Sequence, residues 1–367
     1  MVFRLSEDAQ GFKDTLRRFF EKELAGVVAR QVGDPSGEGA KKINKAFSAL
    51  GLNEIYAAHE QALDSLPELV LLASEIGRSL CPEHLAEALI AGPLFFSSFC
   101  ASQSLATLEK ALSTDQFNHL LRGQVMVLRT PLFYQDTNAL QITSLNEAHL
   151  LSGTLRLVPH SAELAYILYI EQQVAYLIKV DQLAKIELSS ETALDLTQPR
   201  AKIILKEALA IRIEITAHTL YQALSRVLVA AEILGACQKV FEMTVEYVKT
   251  RQQFSQPIGA FQSVQHALAD ICQKIEMLDS LLSFSVWSLK KPSLQSDLSS
   301  QALLRFALRE GVGIVEKAIQ LHGGIGFTWE HELHFYLRRV RSLVALAGSQ
   351  AVHEESFLEV VRQVAAG

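Results

Sequence analysis

The spacing of apolar residues changes twice along this chain, and a fold built from one kind of element cannot accommodate both changes. From Ser6 to about Leu121 apolar side chains recur every third and fourth residue, as in Phe12, Leu16, Phe19, Phe20 and Leu24. That is the period of a helix with one buried face. Between about Gly123 and Thr216 the apolar runs become short and rich in β-branched and aromatic residues, at 125–128, 148–151, 154–158, 166–170, 174–180 and 211–215. This is strand chemistry, and Glu171-Gln-Gln173 between two runs predicts a hairpin. From Ala217 the helical period returns and stays. Leu220, Leu224, Val227, Leu228, Ala231 and Leu234 predict one face of a long helix, and 261–289, 301–321 and 341–364 predict three more. The expected fold is mostly α with a central β domain: an N-terminal helical domain at 1–122, a small middle β domain at 123–216 and a C-terminal four-helix bundle at 217–367.

Composition narrows the function. At 367 residues the chain exceeds one core. It is 49% hydrophobic and only 20% charged, so surplus apolar surface is expected between subunits. The longest apolar run, Ala88 to Phe96, is far short of the roughly 18 residues of a membrane span. A net charge of −6 without a basic cluster argues against nucleic acid. Cys81, Cys100, Cys237 and Cys272 form no paired motif and predict buried, reduced thiols. The N-terminus predicts no secretory signal, and the expected location is cytoplasmic.

Two stretches carry the chemistry. One runs Tyr247-Val-Lys-Thr-Arg251-Gln-Gln253-Phe254-Ser-Gln-Pro257 and on to Phe261-Gln262; the other is Gln320-Leu-His-Gly323-Gly324-Ile-Gly326-Phe327, continuing to Ala347-Gly348-Ser349. Together they resemble the C-terminal half of the acyl-CoA dehydrogenases, flavoproteins that oxidise acyl-CoA thioesters to enoyl-CoA. Leu72-Ala-Ser-Glu75-Ile-Gly77-Arg78 is similar to a helix end in that family's N-terminal domain. The resemblance implies a β-barrel-like middle domain and an FAD shared between subunits, with one subunit's β domain cradling the ring and a neighbour's bundle gripping the pyrophosphate. It places Arg251 on the pyrophosphate, where a permanently charged donor fork suits phosphate oxygens. Gln253, Phe254, Phe261, Gln262 and Ser349 match further cofactor positions. Gln320, Gly323 and Gly324 match a turn where missing side chains let backbone N–H groups approach the cofactor.

Elsewhere the family pattern fails. Its flavin-cradling segments correspond to Arg129-Thr-Pro131-Leu-Phe-Tyr-Gln-Asp136, which keeps only the proline and aspartate, and to Gly153-Thr-Leu-Arg-Leu157-Val-Pro159. There Leu157 replaces a tryptophan and Pro159 a threonine that hydrogen-bonds the ring. The family's catalytic glutamate, which removes the thioester's α-proton, falls at Ala347, and the alternative position used by some members falls at Ser225. Neither is a proton acceptor of the required kind. Glu232 and Glu354 lie nearby and read as surface or interface helix carboxylates. His331-Glu-Leu-His334 lacks the i, i+4 spacing of a zinc helix, so no metal is expected.

The resemblance therefore implies a subunit without its own base that completes FAD sites on a catalytic acyl-CoA dehydrogenase partner, as an α2β2 assembly. The acyl-CoA would occupy the partner's site, and similar heterotetramers act on steroid or bile-acid side-chain CoA esters. A homotetramer with a relocated acid, and a scaffold that binds no flavin, are the alternatives.

Overall fold

The helix that follows Ala217 is the axis of the molecule. A computed structural model of the chain describes residues 7–24, 66–81, 108, 112–113, 126–129, 140–145, 148–159, 165–171, 173–182, 184–348 and 350–366. Their helices are α1 (Glu7–Glu23), α2 (Leu66–Arg78), α3 (His218–Thr250), α4 (Gln262–Leu289), α5 (Leu294–His322), α6 (Leu333–Ala347) and α7 (Gln350–Ala366). Every residue of α3 from Ala223 to Cys237 is buried. A helix apolar on all sides must be surrounded on all sides, and α1, α2, α4, α5 and α6 all contribute to the core around it. By length and composition α3 would also pass for a membrane span, but 89% of its apolar window is inside the fold. It is a core helix.

Seven strands separate α2 from α3: β1 (Met126–Arg129), β2 (Gln141–Leu145), β3 (Ala148–Pro159), β4 (Tyr166–Glu171), β5 (Val174–Lys179), β6 (Ile186–Glu191) and β7 (Arg200–Glu214). They form one sheet in the order β1-β4-β5-β7-β3-β2, with β6 also on β7. Only the β1–β4 pair is parallel. The predicted hairpin is β4–β5, closed by the pair Glu171 and Val174. Side chains alternate between faces, as a strand requires. Leu168, Leu177 and Ile213 join the helical core, whereas Ile167, Ile178 and Ile203 pack with Leu151 and Leu155 in a second core.

Two contacts tie the parts together. At the crossing of α2 and α3, a Cβ on Gly77 would lie 1.9 Å from the Glu232 carbonyl oxygen, and one on Gly235 would lie 1.8 Å from that of Ser74. The two backbones touch, and only glycine fits at either position. The other contact is Arg339, which is 0% exposed. Its Nε donates to Asp195 Oδ2, its Nη1 to Glu232 Oε1 at 3.0 Å, and its Nη2 to the Cys81 carbonyl and Thr197 Oγ1, each at 2.8 Å. Burial alone would favour neutral Asp195, yet the Arg339 charge and the Thr197 hydrogen bonds hold its carboxyl below the ordinary range.

The mostly helical fold with a middle sheet is as expected, with differences in the parts. The predicted fourth long helix is two, α6 and α7, because Gly348 at φ 101° ends α6. Helix α5 begins at Leu294, not Gln301, where Ser293 and Ser296 form a reciprocal capping box. Strands β2 and β6 and the first half of β7 were not anticipated. Glu232, expected on a surface, is 3% exposed and paired with Arg339. Cys81 and Cys237 are buried thiols and Cys272 is half-buried, while Cys100 lies outside the described residues.

Candidate functional site

The two sequence stretches meet at the far end of α3. Arg251 caps that helix, its N–H donating to the Tyr247 carbonyl, and the chain then makes a small hairpin from β8 (Gln252–Gln253) and β9 (Gln256–Pro257). Phe254 and Ser255 form its turn with φ of 52° and 64°. Such a turn favours Asn-Gly, and L-residues with a full side chain are strained there by about 1–2 kcal/mol each. The hairpin closes when Ile258 N–H donates to the Arg251 carbonyl at 2.8 Å. Phe261 then caps α4, accepting from the N–H groups of Val264 and Gln265. Phe254 is 88% exposed, touching Phe261 edge-on at a centroid distance of 6.1 Å. Arg251, Gln253 and Gln262 are exposed as well, and among the described residues the Arg251 guanidinium has no hydrogen-bond or ion-pair partner.

The second stretch arrives on α5. Gln320 is exposed in its last turn, and Gly323 stops the helix at φ 63°, its N–H reaching the Gln320 and Ile319 carbonyls. The following 3-10 turn, Gly323–Phe327, folds back so closely that a Cβ on Gly326 would lie 3.0 Å from the Ile319 oxygen. Gly324 differs from both. Its φ is ordinary and a Cβ there would meet nothing within 4 Å, so nothing within this chain requires its missing side chain. His322 joins the two stretches: its ring stacks on Tyr247 at 4.3 Å, and the Tyr247 hydroxyl donates to the His322 carbonyl at 3.2 Å. Beside this face Phe327 is 70% and Trp329 61% exposed.

The positions where the sequence resemblance expects a glutamate, Ala347 and Ser225, are different in kind. Ala347 is 3% exposed at the end of α6, and His353 Nε2 donates to its carbonyl at 2.7 Å. Ser225 is 4% exposed and its hydroxyl donates back to the Tyr221 carbonyl at 3.0 Å. The next residue, Arg226, is buried on Asp297 at 2.5 Å and Ser300 at 3.2 Å. Of the two nearby acids, Glu232 is held by Arg339, and Glu354 lies 3.6 Å from Arg305, which stacks on Phe357. A cavity of about 560 Å³ opens under the first turn of α3, walled by Thr216, His218, Thr219, Ser293 and Asp297.

Leu157, in the segment corresponding to the flavin cradle, sits at a bulge of β3 with φ 51°. Its N–H donates to Glu191 Oε2 at 2.7 Å, while Glu191 Oε1 accepts from the neighbouring Arg156 side chain. Leu157 is thus tied to the end of β6. Pro131 to Asp136 and Ser349 lie outside the described residues. The Arg339 cluster escaped sequence reasoning; the signal was two charged residues, Arg226 and Glu232, inside the long apolar stretch of α3.

Residues 215–361 match the family model described as acyl-CoA dehydrogenase, C-terminal domain. The chain is similar to acyl-CoA dehydrogenase IpdE2 of Mycolicibacterium smegmatis, 37% identical over 33% of this chain and 37% of that protein. It is also 31% identical to acyl-CoA dehydrogenase FadE34 of Mycobacterium tuberculosis over 42% of this chain and 22% of that one. These alignments span well under two thirds of the relatives' lengths. Among solved structures, the ChsE4–ChsE5 complex from Mycobacterium tuberculosis superposes with a TM-score of 0.83 at 19% identity, covering 100% of both chains. A variant of the Tcur3481–Tcur3483 steroid acyl-CoA dehydrogenase gives 0.84 at 19% identity over 98% of this chain and 99% of that one. Residues 215–361 are thus similar to an acyl-CoA dehydrogenase C-terminal domain, and the chain as a whole has the fold of these solved acyl-CoA dehydrogenase structures.

Proposed function

We propose that this chain is the subunit of a heteromeric FAD-dependent acyl-CoA dehydrogenase that completes its partner's cofactor site and carries no base of its own. The observation that carries the proposal is an asymmetry. Arg251 presents an exposed cation on the hairpin after α3 with no partner among the described residues, and Gly324 leaves space where a side chain would stand, while Ala347 and Ser225 offer no carboxylate. An exposed, permanently charged donor fork fits a pyrophosphate. Gln253, Phe254, Phe261, Gln262, Gln320, Gly323 and Ser349 are assigned to the same grip. The residues present thus fit the dinucleotide end of FAD, whereas Leu157, with no hydrogen-bonding side chain, does not fit its ring.

FAD, when bound, accepts the hydride that leaves the thioester's β-carbon. The work left to this chain is to hold and orient the cofactor from outside: Arg251 neutralises phosphate charge and Phe254 with Phe327 and Trp329 shields that contact from water. Proton removal falls to the partner's glutamate. The proposed assembly is α2β2 and cytoplasmic, with domains at 1–122, 123–216 and 217–367. The solved steroid acyl-CoA dehydrogenase suggests a steroid side-chain CoA thioester as substrate class.

A homotetramer with a relocated acid is disfavoured because Glu232 is committed to Arg339 and Glu354 faces Arg305. A scaffold that ignores flavin leaves the free guanidinium of Arg251 without purpose. Co-expression with a sibling bearing the family glutamate separates the readings. Arg251→Glu should strip FAD from the complex without dissolving it, and retention of full FAD by that variant would leave the scaffold standing.

A further inference from the structure

We propose that His322 is the positioning residue that keeps the two gripping stretches in register, and that a proton on its ring uncouples them. This deepens the reading above and takes its biological meaning from it, although the device lies wholly within this chain. His322 is 3% exposed, and its Nδ1 donates to the Ala318 carbonyl at 2.9 Å. That bond fixes the tautomer, so Nε2 carries a lone pair, and Nε2 is buried without a partner. One face of the ring stacks on Tyr247, four residues before Arg251. His331 stands edge-on at 4.8 Å. His331 Nδ1 accepts from Leu333 N–H at 3.3 Å, which leaves its own proton on Nε2. The Gly326 turn covers what remains, its Cβ position 3.1 Å from the His322 Cβ.

The groups facing His322 are therefore Tyr247 from α3, the Ala318 carbonyl from α5 and His331 from the turn before α6. Among the described residues no carboxylate faces it. Glu332 acts on His331, and Arg338 acts on His334. A second proton on His322 would create a cation with no acceptor, beside a second imidazole. The Tyr247 face compensates such a charge in part, but burial opposes it more strongly, and burial together with His331 holds His322 below the ordinary imidazole value. The sign follows. The unfolded segment takes up the proton near pH 6.5 and the folded one only at lower pH, so local stability is complete above about pH 6.5 and falls as pH drops beneath it. Loss of the stack frees the end of α3, which leads into Arg251, from the Gly323 turn that follows Gln320.

Hydrogen exchange on the full-length chain tests this without any cofactor. After correction for intrinsic rates, amides of 244–250 and 318–328 should lose about tenfold or more of their protection between pH 7.5 and 5.5. His322→Gln, neutral at every pH and able to donate to Ala318, should show the same protection at both pH values, even though the missing stack on Tyr247 lowers that protection at each. Equal protection of the wild type at both pH values, or an equal loss in His322→Gln, overturns the proposal. Should that variant not fold, the His322 ring protons of the wild type serve instead. A titration midpoint below about 6.5 that coincides with the loss of protection supports the coupling, and one at or above it refutes it. FAD retention by the co-purified complex at pH 7.5 is a separate readout: its absence would sink cofactor sharing and leave the exchange result intact.

Discussion

At the scale of single residues, the informative positions are those whose chemistry the chain itself does not use. Arg251 is exposed and has no partner among the described residues, so its charge reversal should cost almost nothing in stability while abolishing cofactor retention in the proposed complex. Melting temperature and flavin absorbance on one sample separate the two effects. Ser255 holds φ 64° with a full side chain. Ser255→Gly relieves that strain and should stabilise the hairpin by about 0.5–1 kcal/mol, read as a higher melting point or slower exchange at 251–258. Ala347→Glu would restore the family's carboxylate to a position 3% exposed. Since no cation is bonded there, the variant should be destabilised by about 2 kcal/mol or more in thermal unfolding, with no gain of activity. The sequence singled out the Arg251 and Gln320–Gly324 stretches because each motif is local and ordered along the chain, and the structure brings the two together at the end of α3 through Tyr247 and His322. It misplaced Glu232, because a carboxylate in an apolar helix is explained only by Arg339, a residue more than a hundred positions away.

At the scale of elements, the α2–α3 crossing and the Arg339 cluster decide whether the domains stay together. Gly235→Ala puts a methyl within 1.8 Å of the Ser74 carbonyl. The helices must separate, and a loss of about 3 kcal/mol or more is expected, measured as a lower denaturant midpoint. Arg339→Met removes the buried cation that Asp195 and Glu232 share, for a loss of about 3–5 kcal/mol at neutral pH. Because Asp195 titrates lower folded than unfolded, its contribution is present above about pH 4 and disappears as pH falls through its folded value. The variant should accordingly show a flatter acid-side stability profile than wild type. Strong periodicity made the long helices and the β4–β5 hairpin readable. Strand β6 was not, since Ile186-Glu-Leu-Ser-Ser-Glu191 buries only Ile186 and is held by its edge pairing to β7. The break at Gly348 was hidden for a similar reason: the apolar period runs through it, and only the backbone conformation ends the helix.

At the scale of the whole molecule, the chain has the fold of the solved acyl-CoA dehydrogenases, and the chemistry proposed for it is divided between subunits. Under that proposal the grip lies at the end of α3, and the positions expected for a base hold a methyl group and a back-bonded hydroxyl. A half-site of this kind has no purpose in isolation, which is why the most direct measurement is the flavin content of the chain alone and of the chain co-purified with a sibling that has the family glutamate. The isolated chain should be colourless, and the mixed complex should hold about one FAD for every two chains. A colourless complex, or an isolated chain that is fully loaded with flavin and oxidises an acyl-CoA thioester by itself, would contradict the shared site.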